Sequence, residues 1–181
     1  VVLMENGASQ AIPVASLEEA RLWGDKGALM AGERNGFRVE GFDFGNSPQE
    51  FTTEKVNGKS VVMTTTNGTH ALNLCKSAGV VYVAAFLNCS ITCRSLMSER
   101  GDIYLFCSGW KGLFNLEDTL LAGAMASQLI GMGAIVADDA TRAAIHLWKQ
   151  AQTNLSEFLS DANHVQRFQS MHAESDLDVC L

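Results

Sequence analysis

The chain has 181 residues, of which 47% are hydrophobic and 18% charged, with a formal net charge of −7. That length sustains one α/β domain, or two small lobes sharing a core, without a disulfide or metal staple. The excess of acid excludes a nucleic-acid coat, which needs clustered Lys and Arg; no apolar run reaches the roughly 20 residues of a membrane span, and two prolines exclude a collagen or a disordered tail.

In chain order, Val1-Val2 reads as the stump of a β-branched strand, and Leu3-Met4-Glu5-Asn6-Gly7 as the end of a helix closed by Gly7. A strand cannot become the end of a helix without the residues between, so a break is expected between Val2 and Leu3. Residues 11–15 read as a strand. Ser16-Leu17-Glu18-Glu19 is a capping box, with Glu19 three residues after the Ser16 N-cap, and the helix runs to about Asp25. Residues 27–31 form the next strand, ending at Gly32-Glu33-Arg34. A glycine-rich loop through Gly36, Gly41 and Gly45 leads to Asn46-Ser47-Pro48. Residues 59–64 are a strand, followed by Thr65-Thr66-Asn67-Gly68-Thr69 and a helix from His70. Residues 80–84 and 102–107 read as two more strands. The first leads to Asn88 and a helix capped by Ser90, the second to Ser108-Gly109-Trp110-Lys111-Gly112. Asn115 caps a long helix with Glu117 and Asp118 in its first turn, residues 138–172 are mostly helical, and residues 176–181 close as a short strand. The alternation specifies an α/β class, a layered α/β/α arrangement on a mostly parallel or mixed sheet, with residues 1–181 as a single domain. The five cysteines sit mostly in apolar runs, as core thiols in a reducing cytoplasm. Cys89 and Cys93 share a helix face but lack the two further ligands of a zinc site.

The polar clusters recur at one position, the carboxyl end of a strand just before a helix. Ligands of open α/β sheets bind there, so the clusters predict a shared pocket. Ordinary capped turns are the plainer reading of any one of them. Three threonines supply hydroxyls, and Asn67-Gly68 permits a positive φ that turns backbone N–H groups toward an anion; the competing reading is a hairpin Asn-Gly turn. Asp43, between Phe42 and Phe44, is either a loop carboxylate bonded to backbone or a metal ligand. Glu117 and Asp118 suit a helix first turn in any case, or a Mg²⁺ site, since Mg²⁺ takes one or two carboxylates plus waters and phosphate oxygens. His70 stands near the pocket; His146, His164 and His172 read as structural or solvated. Gly-x-Ser-x-Gly and Gly-x-Gly-x-x-Gly are both missing from the sequence.

Several stretches together resemble the 2-phosphosulfolactate phosphatase family: Ile12-Pro13-Val14-Ala15, Ala31-Gly32-Glu33-Arg34, Gly41-Phe42-Asp43-Phe44-Gly45-Asn46-Ser47-Pro48, Thr64-Thr65-Thr66-Asn67-Gly68-Thr69, Phe86-Leu87-Asn88-Cys89-Ser90, Leu116-Glu117-Asp118-Thr119 with Ala122-Gly123-Ala124, and the terminal Asp176-Leu177-Asp178-Val179-Cys180-Leu181. Their order and spacing hold from about residue 5 to 181. The resemblance implies Mg²⁺-dependent hydrolysis of 2-phospho-3-sulfolactate to 3-sulfolactate and phosphate, a step toward coenzyme M in methanogens, although many bacterial members lack that pathway. On this reading Asp43, Glu117 and Asp118 are catalytic metal carboxylates, with Glu33 as a fourth. Thr65, Thr66, Asn67, Gly68 and Thr69 hold phosphate, with Asn46, Ser47 and Asn88 nearby, and Arg34 and Lys111 hold the sulfonate or carboxylate. The expected partner is a small phosphate ester in the cytoplasm, with no nucleic acid and no membrane; a homodimer is left open. This chain departs from the family pattern at His70, where an Arg is usual, at the bulky Trp110, and at its opening, where an Asp- and Arg-bearing segment is expected. The alternative is a small-anion-binding module of the same descent that lacks catalysis.

Overall fold

In the computed structural model, residues 1–34, 36–163, 165–166 and 174–181 are described; His164 and His172 lie outside them. The chain forms two compact units, Val1–Val81 and Tyr82–Leu181. Among the described residues no helix is long and apolar enough to cross a membrane.

The first unit is built on a four-stranded mixed sheet. Its strands are β1 (Gln10–Pro13), β2 (Leu29–Arg34), β3 (Phe37–Arg38) and β4 (Ser60–Thr64), in the order β1-β4-β2-β3. β4 lies parallel to both β1 and β2, whereas β3 runs antiparallel to β2. The ladder pairs Ile12 with Val62 and Met30 with Val62, then Ala31 with Met63 and Gly32 with Thr64. Because successive side chains alternate across a strand, the register sorts the apolar residues onto two faces. Ala31 and Val61, with Leu29 and Met63, pack against Leu3, Phe44, Phe51 and Val56, the last on the short helix α3 (Thr53–Val56). Val62, with Ile12 and Met30, packs on the other face against Ala20, Leu17 and Trp23 of helix α2 (Leu17–Gly24) and against Phe42. Both faces are covered, as a parallel sheet requires, and Pro13 is tolerated because β1 is an edge strand.

Local chemistry sets the helix starts. Ser16 Oγ accepts from the Glu19 amide at 3.1 Å, and Glu19 Oε2 accepts from the Ala15 amide at 3.2 Å, so the predicted box forms with its return bond one residue early. The opening differs from expectation. Val2 and Leu3 belong to one unbroken helical turn, α1 (Val2–Glu5), with the Val1 carbonyl accepting from Met4 and Glu5. Val1-Val2 is therefore no strand stump: Val2 opens the helical turn, which satisfies its backbone locally and buries Leu3.

The second unit is helical. α5 (Cys89–Leu96), α6 (Leu116–Gly131) and α7 (Asp139–Ala151) surround a core of Cys93, Ala124, Met125 and Leu129. The shorter α8 (Leu155–Leu159) packs Leu159 against Leu120 and Ala151. The strands expected at residues 80–84 and 102–107 are not formed; those residues carry no ladder in the structure. In residues 102–107 the period of two survives: Ile103 and Leu105 pack inward, while Tyr104 and Phe106 stay exposed; Val80, Val81, Tyr82 and Val83 are all exposed. Apolar alternation chooses a buried face but not a hydrogen-bonding partner. The expected final strand is instead a helix, α9 (Glu174–Cys180). The core-thiol reading holds for Cys89 and Cys93, which are buried, but Cys107 and Cys180 are exposed and Cys75 is half-buried.

Gly123 allows α6 to meet α7. A Cβ there would overlap the Ala144 carbonyl oxygen and come within 2.8 Å of Trp148 Cβ. Helix propensity favours alanine over glycine by about 1 kcal/mol, yet forcing a methyl into a packed backbone contact costs more. Gly123→Ala is expected to lose about 2 kcal/mol net, read as a lower urea midpoint at unchanged slope. The core thiols make a second prediction. Burial foremost, then the neighbouring Cys89, raise the Cys93 thiol from an ordinary 9.0 to about 11. The fold thus keeps a proton that the unfolded chain gives up first. This contribution to stability is complete below pH 9 and is lost as pH rises toward 11. Unfolding followed by denaturant at pH 8 and pH 11 should show a loss that Cys93→Ala reduces.

Candidate functional site

The carboxyl ends of β2 and β4 form a cleft in the first unit. Its construction starts at Gly32, opposite Thr64 in the ladder. A Cβ at Gly32 would stand 2.7 Å from the Thr64 carbonyl oxygen, so only glycine allows the two strand ends this separation. The two residues that follow are both anchored. Arg34 donates from Nη1 to the Glu33 carbonyl at 2.7 Å and to the Thr64 carbonyl at 3.4 Å, and from Nη2 to Thr64 Oγ1 at 3.1 Å. Glu33 is buried. Its Oε1 accepts from both the amide and the hydroxyl of Thr66, each at 3.1 Å, and its Oε2 accepts from the Gly36 amide at 2.8 Å.

The threonine loop closes on itself. Thr69 Oγ1 donates to the Thr65 carbonyl at 2.7 Å and accepts from the Thr65 amide at 3.3 Å; Thr65 Oγ1 accepts from the Thr69 amide at 3.3 Å. Asn67 has φ −106° and leads directly into α4 (Gly68–Leu74). Neither Asn67 nor Gly68 takes a positive φ. The expected left-handed turn is absent because the helix begins at once, and the hairpin reading falls with it. Two hydroxyl protons, those of Thr66 and Thr69, are given to Glu33 and to the Thr65 carbonyl, so these side chains shape the loop. The resulting cleft of about 270 Å³ is lined by Arg34, Thr65, Thr66, Thr69, His70 and Asn73. Asn73, which the sequence reading did not single out, donates to the Thr69 carbonyl at 3.0 Å. Its signal was the helical spacing of four from Thr69.

Asp43 is placed elsewhere. Its Oδ2 accepts from the Met30 amide at 2.8 Å, near the start of β2, about 10 Å along the strand from Glu33 by the strand rise. Phe44 pairs beside Ala31, so Asp43 completes the outer edge of β2 as a backbone acceptor. Exposed Asn46 and half-buried Ser47 lead into the 3₁₀ turn Pro48–Glu50.

In the second unit, Asn115 Oδ1 accepts from the Asp118 amide at 2.9 Å and caps α6 as expected. Asp118 Oδ2 accepts from the Ser108 hydroxyl at 3.1 Å and the Gly109 amide at 2.7 Å, tying the preceding loop to the helix. That loop makes a tight turn: Trp110 and Leu113 exchange both backbone bonds, and Lys111 and Gly112 have φ 53° and 74°. Two positive φ values identify a primed turn, with Lys111 in a conformation that glycine or asparagine usually fills. The Lys111 ammonium lies 4.9 Å from the Trp110 ring centroid. Half-buried Glu117 lines a second cleft of about 280 Å³, with Trp110, Phe114, Asn115, Asp161 and Asn163. No sequence signal pointed to Asp161. Asn88 is held within its own loop, accepting from the Ala85 amide at 2.7 Å and donating to the Val83 carbonyl at 2.9 Å. His146 is exposed on α7.

The structure thus gathers Glu33, Arg34, Thr65, Thr66 and Thr69 at one strand end, and Glu117 and Asp118 at the start of one helix. Among the described residues, no three His, Cys, Asp or Glu side chains cluster closely enough to hold a metal by themselves.

A family model described as 2-phosphosulpholactate phosphatase matches residues 1–181. Relatives named probable 2-phosphosulfolactate phosphatase are similar throughout. The protein of Thermotoga petrophila is 40% identical over 184 residues, 99% of this chain and 77% of its own. That of Caldanaerobacter subterraneus subsp. tengcongensis is 37% identical over 180 residues, 97% of this chain and 75% of its own. That of Clostridium perfringens is 37% identical over 182 residues, 97% of this chain and 73% of its own. The chain spans about three quarters of the length of these relatives. With the family's Gly-Asn-Ser-Pro and Thr-Thr-Asn-Gly-Thr blocks both in place and the match running end to end, the chain belongs to the 2-phosphosulfolactate phosphatase family of phosphoric monoester hydrolases.

Proposed function

We propose that the protein hydrolyses 2-phospho-3-sulfolactate to 3-sulfolactate and phosphate, with Mg²⁺ as its metal, in a reducing cytoplasm that suits its free cysteines. The reading is supported by the printed names of the relatives and carried by one observation, the anchored Arg34 on the wall of a polar cleft. A phosphate ester that also bears a sulfonate and a carboxylate needs a permanent cation held in one orientation. Arg34 meets that need. Its guanidinium has five donors in a fixed fork; the three bonds to Glu33 and Thr64 hold one side, and the remaining donors serve an incoming anion. Charge-assisted bonds of this kind are about twice as strong as neutral ones. The Thr65 hydroxyl adds a neutral donor beside it.

Mg²⁺ would polarise the phosphoryl oxygens and offset their charge as the ester bond breaks. The donor set fits it in part. Glu33 already has both oxygens engaged by N–H and O–H donors, and Asp43 and Asp118 each have one so engaged. In the second unit, Glu117 and Asp161 line one cleft and are the carboxylates that would hold the metal; one or two carboxylates suffice when waters and other oxygen ligands complete the octahedron.

The test is phosphate release from 2-phospho-3-sulfolactate and from phosphate esters lacking the sulfonate, before and after chelation. The proposal expects preference for the sulfonated ester, loss of turnover with the chelator and recovery with Mg²⁺. Equal turnover of all esters would contradict the substrate assignment, and turnover indifferent to chelation the metal.

A further inference from the structure

We infer that Glu33 is a positioning residue that sets the phosphate cleft by tying the loop after β4 to the turn after β2, and that it acts through Thr66, without touching metal or substrate. The inference rests on the reading of that cleft as a phosphate site. Three observations carry it. Glu33 is buried, 9% exposed, at the end of β2. Its side chain is engaged on both oxygens by the loop after β4, through the Thr66 amide and hydroxyl, and by the turn after β2, through the Gly36 amide. Its own carbonyl is the closest acceptor of Arg34, at 2.7 Å. The side chain thus fixes the threonine loop against the end of β2, while the backbone of the same residue receives Arg34.

The chemistry explains why an acid stands there. Thr66 brings two donors to a single oxygen and Gly36 brings a third to the other. A carboxylate is acceptor-only on both oxygens, whereas an amide accepts on one and donates on the other. Glutamine would therefore face one N–H with its own NH₂ and leave a part-buried donor unsatisfied. The Thr66 hydroxyl, which gives its proton to Glu33, presents lone pairs elsewhere, so without Glu33 both its direction and the loop's would change.

The experiment measures inorganic phosphate binding by calorimetry, together with KM and kcat for 2-phospho-3-sulfolactate, in the wild type, Glu33→Gln, Thr66→Val and the double variant. Losing an ionic hydrogen bond in this setting predicts a rise of about tenfold in Kd for phosphate and in KM for Glu33→Gln. The Mg²⁺ concentration for half activation should not change. Because Glu33 acts through Thr66, the double variant should be no weaker than Glu33→Gln alone. Should Glu33→Gln fail to fold, Thr66→Val reads the same bond from its other partner and should raise KM with kcat nearly constant. A raised Mg²⁺ requirement in Glu33→Gln would make Glu33 a metal ligand and overturn the inference, as would phosphate binding at wild-type strength. If the wild type itself bound no phosphate, the reading of the cleft would fall and the role of Glu33 with it.

Discussion

Arg34→Lys is expected to lower kcat/KM about a hundredfold, equivalent to ~2.7 kcal/mol of transition-state stabilisation. The expectation follows from how the guanidinium is held. Two of its nitrogens make three bonds to Glu33 and Thr64, at 2.7, 3.1 and 3.4 Å. A lysine ammonium carries the same charge, but its three donors radiate from one atom. It can satisfy the Glu33 and Thr64 oxygens or bind a phosphoryl group with bidentate geometry, and it cannot do both. Charge alone would predict a small effect, so the size of the loss separates oriented binding from simple attraction. Melting temperature should shift little, since Arg34 is only half-buried. A loss below about threefold would show that the fork geometry is irrelevant.

Glu117→Gln is expected to raise the Mg²⁺ concentration for half activity by about ten- to a hundredfold, in line with metal-site substitutions. The substitution conserves size and the helix, since the first turn of α6 is capped independently by Asn115 through the Asp118 amide. It removes only the negative charge that a hard cation needs. Saturating Mg²⁺ should recover much of kcat, whereas Asp118→Asn should act differently. Asp118 Oδ2 accepts from Ser108 and Gly109, so that change loosens the loop and should not be rescued by metal. Identical Mg²⁺ profiles for wild type and Glu117→Gln would assign the metal elsewhere.

How much of this was legible beforehand depends on the distance over which each decision is made. The caps at Ser16 and Asn115 are settled within three residues: Ser16 takes its expected partner Glu19, and Asn115 caps as expected, through the Asp118 amide. β4 is an apolar run with polar residues after it and forms close to its expected bounds, whereas β2 starts two residues later than expected and runs on through Gly32-Glu33-Arg34. A cleft lies at the carboxyl ends of those two strands, where polar clusters stand, but the clusters at Asn88 and Ser108 follow runs that form no strand. What was not readable is which donor meets which acceptor over long separations. Asp43, an acid between two aromatics and two glycines, reads as a backbone-bonded carboxylate or as a ligand; its bond to Met30, 13 residues away, depends on how residues 42–44 fold back beside β2. The threonines suggested phosphate donors, yet two of their protons serve the protein itself. The six-residue terminal run is too short for its apolar residues to distinguish a period of two from one of 3.6, and it forms a helix that sets Leu177 against Leu120 and Leu159.

The most direct measurement is a titration of the ¹⁵N-labelled protein with inorganic phosphate, following backbone amides and arginine Nε–H signals. The account predicts saturable shifts at Thr65, Thr66, Thr69 and His70 and at the Arg34 side chain, all weakened in Arg34→Lys. Saturable shifts that leave these residues still, or none at concentrations that inhibit turnover, would contradict it.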